Sequence, residues 1–182
     1  MAVLLGGAAA YLTAESLVAE LSIWDFLPFE LCDLAIFVAA YALVTRGPLA
    51  SEVAWFWALS GTVLAMITPD VAGGFPEWRW VAYFTMHGAV VVSAVVLTVG
   101  LGRRPRPGAP WRVFGWTAAY AAAVALFDLA TGANFLYLRH KPAQPTMLDG
   151  FGPWPLYIAV EALIGIVAFH LLMLPFRSRP SR

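Results

Sequence analysis

The sequence predicts an all-α fold: a polytopic membrane helix bundle of about six transmembrane helices, with both termini cytoplasmic. Three observations lead to this fold class. Of the 182 residues, 61% are hydrophobic and 12% are charged, and the mean hydropathy is +0.76, unlike any ordinary soluble domain. Apolar runs of about 20 residues recur, enough to cross about 30 Å of hydrocarbon. Lys and Arg are also distributed unevenly among the segments between these runs.

The first three helices are predicted at residues 3–21, 28–44 and 52–67. The first is Ala-rich and carries Glu15 and Glu20. The second opens with Pro28, which suits the first helical position because its missing N–H would have no partner there. The third ends before Pro69, since the residue preceding a proline is biased away from helical geometry.

The last three helices are predicted at residues 78–101, 111–130 and 153–174. The fifth stops at Gly132, a residue type common after a helix C-terminus, and the sixth stops at Pro175. No repeat or linker interrupts the series, so we expect a single transmembrane domain over residues 1–182. Tryptophans fall near the predicted helix ends, where aromatic belts lie at the headgroup level; they are Trp55, Trp57, Trp78, Trp80, Trp111, Trp116 and Trp154.

Basic residues predict the orientation of the bundle. Six spans bring one set of Lys and Arg positions to the same side, and cytoplasmic segments carry the excess of such residues. Arg79, Arg139 and Lys141 fall on the opposite, outer side. The cytoplasmic set is Arg46, Arg103, Arg104, Arg106, Arg112, Arg177, Arg179 and Arg182.

Composition also excludes several classes of partner and site. The formal net charge is zero, so a nucleic-acid partner is not expected. A single cysteine excludes an intrachain disulfide and a cysteine-cluster metal site, and the three histidines lack the spacing of metal ligands. We therefore expect no metal and no cofactor. The first segment has no basic n-region, so a cleavable signal peptide is not expected either.

Ionisable residues are concentrated at one predicted depth. All eleven acidic residues except Glu52 fall in the outer half of the bundle, with the only cysteine and a mid-helix histidine. Each ionisable group in hydrocarbon costs about 2.5–3.5 kcal/mol on insertion scales, so such a concentration indicates a function. Part of the set can instead be solvated loop charge, or can bind a cation or an amine headgroup; this part is Glu15, Glu20, Asp25, Asp70, Glu77 and Asp149.

Two residues are candidates for the central chemistry. Cys32 lies about one turn inside the second predicted helix, where it is either a nucleophile or a small inert core residue. His87 lies well inside the fourth helix, as a general base, a proton relay or a structural hydrogen-bonding group. Glu161 or Asp128 could orient it as the carboxylate of a catalytic triad does, or could simply form a packing ion pair.

A phosphate site is predicted near the start of the sixth helix. The sequence Gly-Pro-Trp-Pro at 152–155 would begin a helix whose unpaired N–H groups attract anions, and Arg139 and Lys141 precede it. Trp154, Tyr157 and Glu161 have the spacing of one helix face. The alternative is an ordinary helix start with an interfacial tryptophan anchor. His140 lies in the same outer loop, whereas His170 is expected to be structural.

Several segments, in order and spacing from about Leu27 to Ile158, resemble the bacterial YwaF-type integral membrane family. The most specific are Gly-Pro-Trp-Pro at 152–155 and Asn-x-x-Tyr-Leu at 134–138. The other matching segments are Leu-Pro-Phe-Glu-Leu-Cys at 27–32, Phe-Trp at 56–57, Thr-Pro-Asp at 68–70, Phe-x-x-His-Gly at 84–88, and Lys-Pro at 141–142.

The resemblance implies a function. The eukaryotic relatives of this family, the transmembrane protein 164 group, are ether-phospholipid acyltransferases with a cysteine acyl-enzyme and a histidine. By position, Cys32 then matches the nucleophile and His87 the histidine, while Glu30 stands where the family often has a histidine.

Our main hypothesis is therefore a membrane acyl-transfer enzyme, an acyltransferase or lipid hydrolase, acting on a phospholipid-like amphiphile through a Cys-His site in the outer leaflet. Its predicted catalytic residues are Cys32, His87, Glu161 and Asp128. Its predicted substrate-binding residues are Glu30, Asn134, Tyr137, Arg139, Lys141, Trp154 and Tyr157.

The alternative is a small-solute or proton-coupled transporter, or a lipid-binding membrane protein, whose polar cavity is not catalytic. A non-catalytic membrane scaffold is a third reading. We expect membrane lipids as partners, leave a homodimer open, and expect the bacterial plasma (inner) membrane as the location.

Overall fold

The computed structural model describes residues 27–69, 71, 73–143 and 145–177, together with Gly6. This part of the chain is helical and contains no β-strand, which confirms the all-α prediction. Its apolar helices are α1 (Leu31–Thr45), α2 (Pro48–Ile67), α3 (Trp78–Gly100), α4 (Ala109–Thr131) and α5 (Leu156–Phe176).

Four helices in the described residues, α2 to α5, have the length and composition to cross a membrane. The protein is therefore an integral membrane protein by its helices, with fewer spans in this part than the six predicted. The second predicted helix corresponds to α1, whose 15 residues extend only about 22 Å. The helix predicted at 3–21 lies outside the described residues, as do Asp25 and Asp70. The side on which the termini lie stays a prediction.

Local backbone geometry explains where the helix ends differ from those predicted. Glu30 is extended (φ −68°, ψ 147°), so α1 begins three residues after Pro28, and it ends where Arg46 turns left-handed (φ 53°). α2 begins four residues before the predicted start, because Pro48 takes the first helical turn. Gly132 ends α4 as expected: its left-handed backbone (φ 85°) lets its N–H donate to the Asp128 carbonyl.

The chain divides into two compact units, one up to Pro107 and the other from Gly108. In the first unit, α1, α2 and α3 pack against one another; in the second, α4 packs against α5. Ala42 of α1 and Ala54 of α2 are buried in one cluster with Leu97 of α3. These small alanine side chains let α1 and α2 approach closely. The prediction of a single domain over residues 1–182 stays a prediction.

Two tertiary contacts show that α2 and α3 run antiparallel in the first unit. Near one end of the pair, Glu52 of α2 bonds to Arg106, in the segment after α3. Near the other end, the Tyr83 hydroxyl of α3 donates to the Ala65 carbonyl of α2 at 2.9 Å. The antiparallel arrangement agrees with the predicted order of spans.

The Glu52 carboxylate is buried and is held by three donors of one residue. The backbone N–H and the Nε of Arg106 donate to Oε1 at 3.0 and 2.7 Å, and Nη2 donates to Oε2 at 3.1 Å. Hydrogen bonding to Glu52 raises the pKa of Arg106, which lies outside the spanning helices, so the guanidinium stays charged. The pair thus joins α2 to the segment that follows α3.

The structure contradicts the predicted aromatic belt for two tryptophans. Trp78, Trp111, Trp116 and Trp154 are exposed, and their place at the headgroup level stays a prediction. Trp55 and Trp57 are instead buried, because α2 begins early enough to bring them into its middle. These two indoles are part of the core of the first unit.

Candidate functional site

His87 is buried in the first unit, with 4% of its surface exposed. Its Nδ1 lies 2.8 Å from the carbonyl oxygen of Tyr83, one turn earlier in α3. A carbonyl can only accept a hydrogen bond, so Nδ1 carries the proton. In the neutral ring, Nε2 then has a free lone pair, the arrangement that a general base requires.

The His87 ring is also fixed by stacking. It lies on the ring of Tyr83, with 4.0 Å between ring centroids and 29° between planes. Tyr83 is itself buried, and its hydroxyl is bonded to the Ala65 carbonyl. The sequence analysis missed Tyr83; its spacing of four residues from His87, which puts both on one helix face, was the available signal.

Cys32 is the second residue of α1 and is partly buried. The first backbone hydrogen bond of α1 runs from the Leu34 N–H to the Glu30 carbonyl. The N–H groups of residues 31–33 therefore have no helical carbonyl to which they can donate. Such groups favour a negative charge nearby. Glu30 and Asp33 flank Cys32, and their charges oppose ionisation of the thiol. A base is therefore needed to activate it.

Packing brings the start of α1 and the His87 region to the same stretch of α2. The Leu31 side chain lies over Gly61, 3.9 Å from the position that a Cβ would occupy there. Ala65, which accepts the Tyr83 hydroxyl, is one turn of about 6 Å further along α2. α1 also packs directly against α3. Leu31, next to Cys32, and Tyr83, which holds His87, thus contact successive turns of α2.

The stretch of α2 between these helices is π-helical from Ala58 to Thr62. π-Helical turns are rare and occur often at functional sites. This one contacts both α1 and α3. A second π-helical turn, Val96–Gly100, ends α3 near the Glu52–Arg106 pair.

A row of aromatic rings leads along α3 from the exposed Phe75 to His87. Phe75 contacts Trp80 edge-on at 5.4 Å, and Trp80 lies 4.2 Å from Phe84. Phe84 contacts Tyr83 at 5.4 Å, and Tyr83 carries His87. A continuous series of ring contacts therefore joins an exposed residue to the buried imidazole.

In the second unit, Asn134 organises the loop after α4. Its Oδ1 accepts hydrogen bonds from the backbone N–H groups of Arg139 and His140, at 3.0 and 3.1 Å. Its Nδ2 donates to the His140 carbonyl at 2.9 Å and lies 3.1 Å from the His140 Nδ1. The amide predicted to bind substrate is thus engaged within the loop, where it fixes the backbone of Arg139.

The same loop is fastened to the start of α5. The Tyr157 hydroxyl donates to the Tyr137 carbonyl, and the Trp154 Nε1 donates to the Leu138 carbonyl at 3.0 Å. Leu136 and Tyr137 have left-handed backbones (φ 54° and 51°), which cost about 1–2 kcal/mol each. These two bonds help to hold that strained turn in place.

The predicted cationic side chains differ in their surroundings. Arg139 is exposed, and its Nη1 donates to the Ala133 carbonyl at 3.0 Å. Lys141 lies 3.8 Å from an Asp149 carboxylate oxygen and 5.5 Å above the Tyr157 ring. Both are therefore on the loop that Asn134 organises, close to the start of α5.

The prediction that Trp154, Tyr157 and Glu161 share one helix face is wrong. α5 begins at Leu156, so Trp154 precedes the helix and does not share a helix face with Tyr157 and Glu161. The Tyr157 N–H donates to the Pro153 carbonyl, and the N–H groups of Ile158 and Ala159 donate to that of Pro155. With these N–H groups already bonded, an anion would depend on Arg139 and Lys141.

Asp128 and Glu161, the predicted carboxylates, both lie in the second unit. Asp128 has 0% of its surface exposed, and neither oxygen has a hydrogen-bond partner among the described residues. Glu161 is exposed on α5. The group bonded to the His87 Nδ1 is the Tyr83 carbonyl, and a role for either carboxylate stays a prediction.

The Asp128→Leu substitution should stabilise the protein. A buried carboxyl without donors costs about 1–3 kcal/mol, and an apolar side chain of similar size removes that cost. We expect a gain of about 1–2 kcal/mol in thermal unfolding in detergent. Asp128→Asn, which retains a polar group of the same volume, should gain less. A loss of stability on Asp128→Leu would show that the carboxyl has a partner that stabilises the fold.

Among the described residues, no three His, Cys, Asp or Glu side chains form a group that could hold a metal ion. Of the outer carboxylates considered for a cation, Glu15, Glu20, Asp25 and Asp70 lie outside these residues. Asp149 caps the turn Met147–Phe151, together with Thr146.

Comparison with known proteins gives the family. An uncharacterized protein of Treponema pallidum (strain Nichols) is 27% identical over 156 residues, which cover 83% of this chain and 62% of that relative. The chain thus spans less than two thirds of that relative's length. No solved structure matches this chain. The model of the TMEM164 family matches residues 1–173. The narrower YwaF-type assignment stays a prediction, but a match over nearly the whole chain shows that this protein belongs to the TMEM164 family.

Proposed function

We propose that this protein is a membrane acyl-transfer enzyme, an acyltransferase or lipid hydrolase, that acts on a phospholipid-like amphiphile through Cys32 and His87. The observation that carries the proposal is the state of His87. A buried imidazole whose Nδ1 donates to the Tyr83 carbonyl has its Nε2 lone pair available, on a helix that packs against the helix of the only cysteine. Membership of the TMEM164 family also supports the acyl-transfer proposal.

The first half-reaction forms an acyl-enzyme. The Cys32 sulfur attacks the ester carbonyl carbon while the His87 Nε2 takes the thiol proton. The tetrahedral intermediate collapses, the ester C–O bond breaks, and the imidazolium returns the proton to the leaving alcohol. The N–H groups at the start of α1 are candidates to stabilise the oxyanion. A thioester on Cys32 and a free alcohol result.

The second half-reaction regenerates the thiol. An acceptor hydroxyl, from water in a hydrolase or from a lysolipid in a transferase, attacks the thioester while His87 takes its proton. The C–S bond breaks and the proton returns to the Cys32 sulfur. The roles predicted for Arg139, Lys141, Asp128 and Glu161, which belong to the second unit, stay predictions.

An activated-ester or fatty-acyl probe tests the nucleophile directly. Because the chain has one cysteine, any thioester can be assigned without ambiguity and removed with neutral hydroxylamine. We expect purified wild-type protein to acquire one hydroxylamine-sensitive acyl group and Cys32→Ala to acquire none. Cys32→Ser controls for the loss of side-chain volume. Equal labelling of wild type and Cys32→Ala would end the claim that Cys32 is the nucleophile.

A second candidate function, binding or transport of a solute in a non-catalytic polar cavity, is favoured by Asp128. A fully buried carboxyl without a bonded donor is the kind of group that a ligand or a proton would satisfy. Under this function Cys32→Ser should leave activity nearly intact, whereas Asp128→Asn should abolish it. The acyl-transfer proposal expects the opposite for Cys32→Ser.

A further inference from the structure

We infer that Tyr83 is a positioning residue for His87. The Ala65 carbonyl holds the Tyr83 hydroxyl, and this carbonyl is available because Pro69 cannot donate a helical hydrogen bond to it. The inference rests on the proposed role of His87 as the base for Cys32. Neither Tyr83 nor Pro69 contacts the reacting atoms in this account; both act through the imidazole.

The argument begins in α2. In an α-helix each carbonyl accepts from the N–H four residues later, so the donor due to Ala65 is residue 69. That residue is proline, which has no N–H. The preceding bond is intact, since the Thr68 N–H donates to the Leu64 carbonyl at 2.9 Å. The sequence therefore removes the helical donor of one carbonyl at the end of α2.

The Tyr83 hydroxyl supplies a donor to that carbonyl across the helix pair. Its bond to the Ala65 oxygen is 2.9 Å long, and Tyr83 is buried. A buried tyrosine hydroxyl needs a partner, and a carbonyl without its helical donor needs one as well. The single bond satisfies both groups, and it fixes the far end of the tyrosine ring against α2.

The fixed ring in turn fixes the imidazole. His87 stacks on the Tyr83 ring at 4.0 Å, and the carbonyl of the same residue holds Nδ1. The stack limits rotation of the imidazole about its side-chain bonds, and the carbonyl fixes its tautomer. One residue thus determines both the plane of the ring and the nitrogen that carries the lone pair. Catalytic groups held in this way need less reorganisation in the transition state.

Tyr83→Phe tests the inference because it removes the hydroxyl and keeps the ring and the backbone carbonyl. We expect the rate of Cys32 acylation to fall about 3–10-fold, the effect of one hydrogen bond. Pro69→Ala, which restores an N–H near the Ala65 carbonyl, should lower the rate in the same direction by less. Tyr41→Phe is the matched control, since Tyr41 is 62% exposed, and it should leave the rate unchanged.

A double-mutant cycle separates positioning from general stability. If Tyr83 acts through His87, Tyr83→Phe should have no further effect on acylation in a His87→Gln background. An equal fold-loss in both backgrounds would overturn the inference. Pro69→Ala can take the place of Tyr83→Phe in the cycle if the latter does not fold.

A spectroscopic measurement distinguishes failure of the inference from failure of the proposed function. Nitrogen NMR of ¹⁵N-histidine-labelled protein in nanodiscs reports the His87 ring, assigned by its loss in His87→Gln. We expect one Nδ1-protonated tautomer in both proteins, because the Tyr83 carbonyl is retained. The His87 signal should be broadened in Tyr83→Phe, because the stacked ring is held less firmly. An unchanged His87 signal in Tyr83→Phe overturns the positioning role whether or not Cys32 is acylated. A changed signal in a protein that never acylates Cys32 supports positioning and rejects the proposed function.

Discussion

Replacing His87 with glutamine should lower the rate of Cys32 acylation about 10²–10⁴-fold, which is about 3–5 kcal/mol in the activation barrier. Glutamine can still donate a hydrogen bond to the Tyr83 carbonyl, but it cannot accept the thiol proton. The loss follows from the environment of Cys32, where the charges of Glu30 and Asp33 oppose spontaneous ionisation of the thiol. The measurement is the initial rate of thioester formation with an acyl probe.

The ratio of the wild-type acylation rate to that of His87→Gln should decrease as the pH rises. At higher pH hydroxide can take the Cys32 thiol proton, so the acylation rate of the variant rises. In wild type, His87 remains the faster acceptor of this proton. His170→Gln is a close control: His170 also bonds through Nδ1 to the carbonyl one turn earlier, that of Ile166, at 2.8 Å. It should acylate at the wild-type rate. A His87→Gln rate equal to wild type at every pH would exclude His87 as the base.

Arg106→Ala should destabilise the protein by about 2–3 kcal/mol. Removing the side chain leaves the Glu52 carboxylate, 1% exposed, without the two guanidinium donors that Arg106 provides. Even though alanine keeps the backbone N–H, two charge-assisted bonds are lost and the buried charge remains. Breaking a buried pair costs about 3–5 kcal/mol, and the expected value is lower because the Arg106 side chain is 47% exposed.

Thermal unfolding in one detergent, compared with wild type, measures this effect. A loss of that size should lower the melting temperature by about 5–10 °C. Arg104→Ala removes an exposed arginine from the same segment and should change stability by less than about 0.5 kcal/mol. The double variant Glu52→Leu/Arg106→Ala should recover part of the loss, because it removes the buried charge together with its partner. Equal melting temperatures for Arg104→Ala and Arg106→Ala would show that the pair contributes no stability.

The two units carry different parts of the predicted site. Cys32, His87 and Glu30 belong to the first unit, with the π-helical turn and the aromatic row. Asp128, Glu161 and the loop organised by Asn134 belong to the second. The residues of the second unit are connected mostly to one another, so the bonds of Asn134, Trp154 and Tyr157 describe an ordered loop and its support. Their contact with substrate stays a prediction.

Helix positions were predictable where a local signal was strong. Pro69 and Gly132 marked helix ends correctly, because the missing N–H of proline and the left-handed backbone of glycine act within one turn. Pro28 misled the prediction, since Glu30 after it is extended and delays the start of α1. Trp55 and Trp57 were assigned to the membrane interface because aromatic residues serve equally well in belts and in cores. Only packing distinguishes the two uses.

Composition and apolar runs alone predict a helical membrane protein. Hydrocarbon permits few ways to satisfy backbone hydrogen bonds, and runs of about 20 apolar residues are visible in the sequence. The sequence also identified Cys32 and His87 as unusual residues at a predicted membrane depth. What holds His87 in place follows from packing between helices. The partner of Tyr83 lies 18 residues away on another helix. Contacts between helices depend on rotation and register, which helical periodicity alone does not specify.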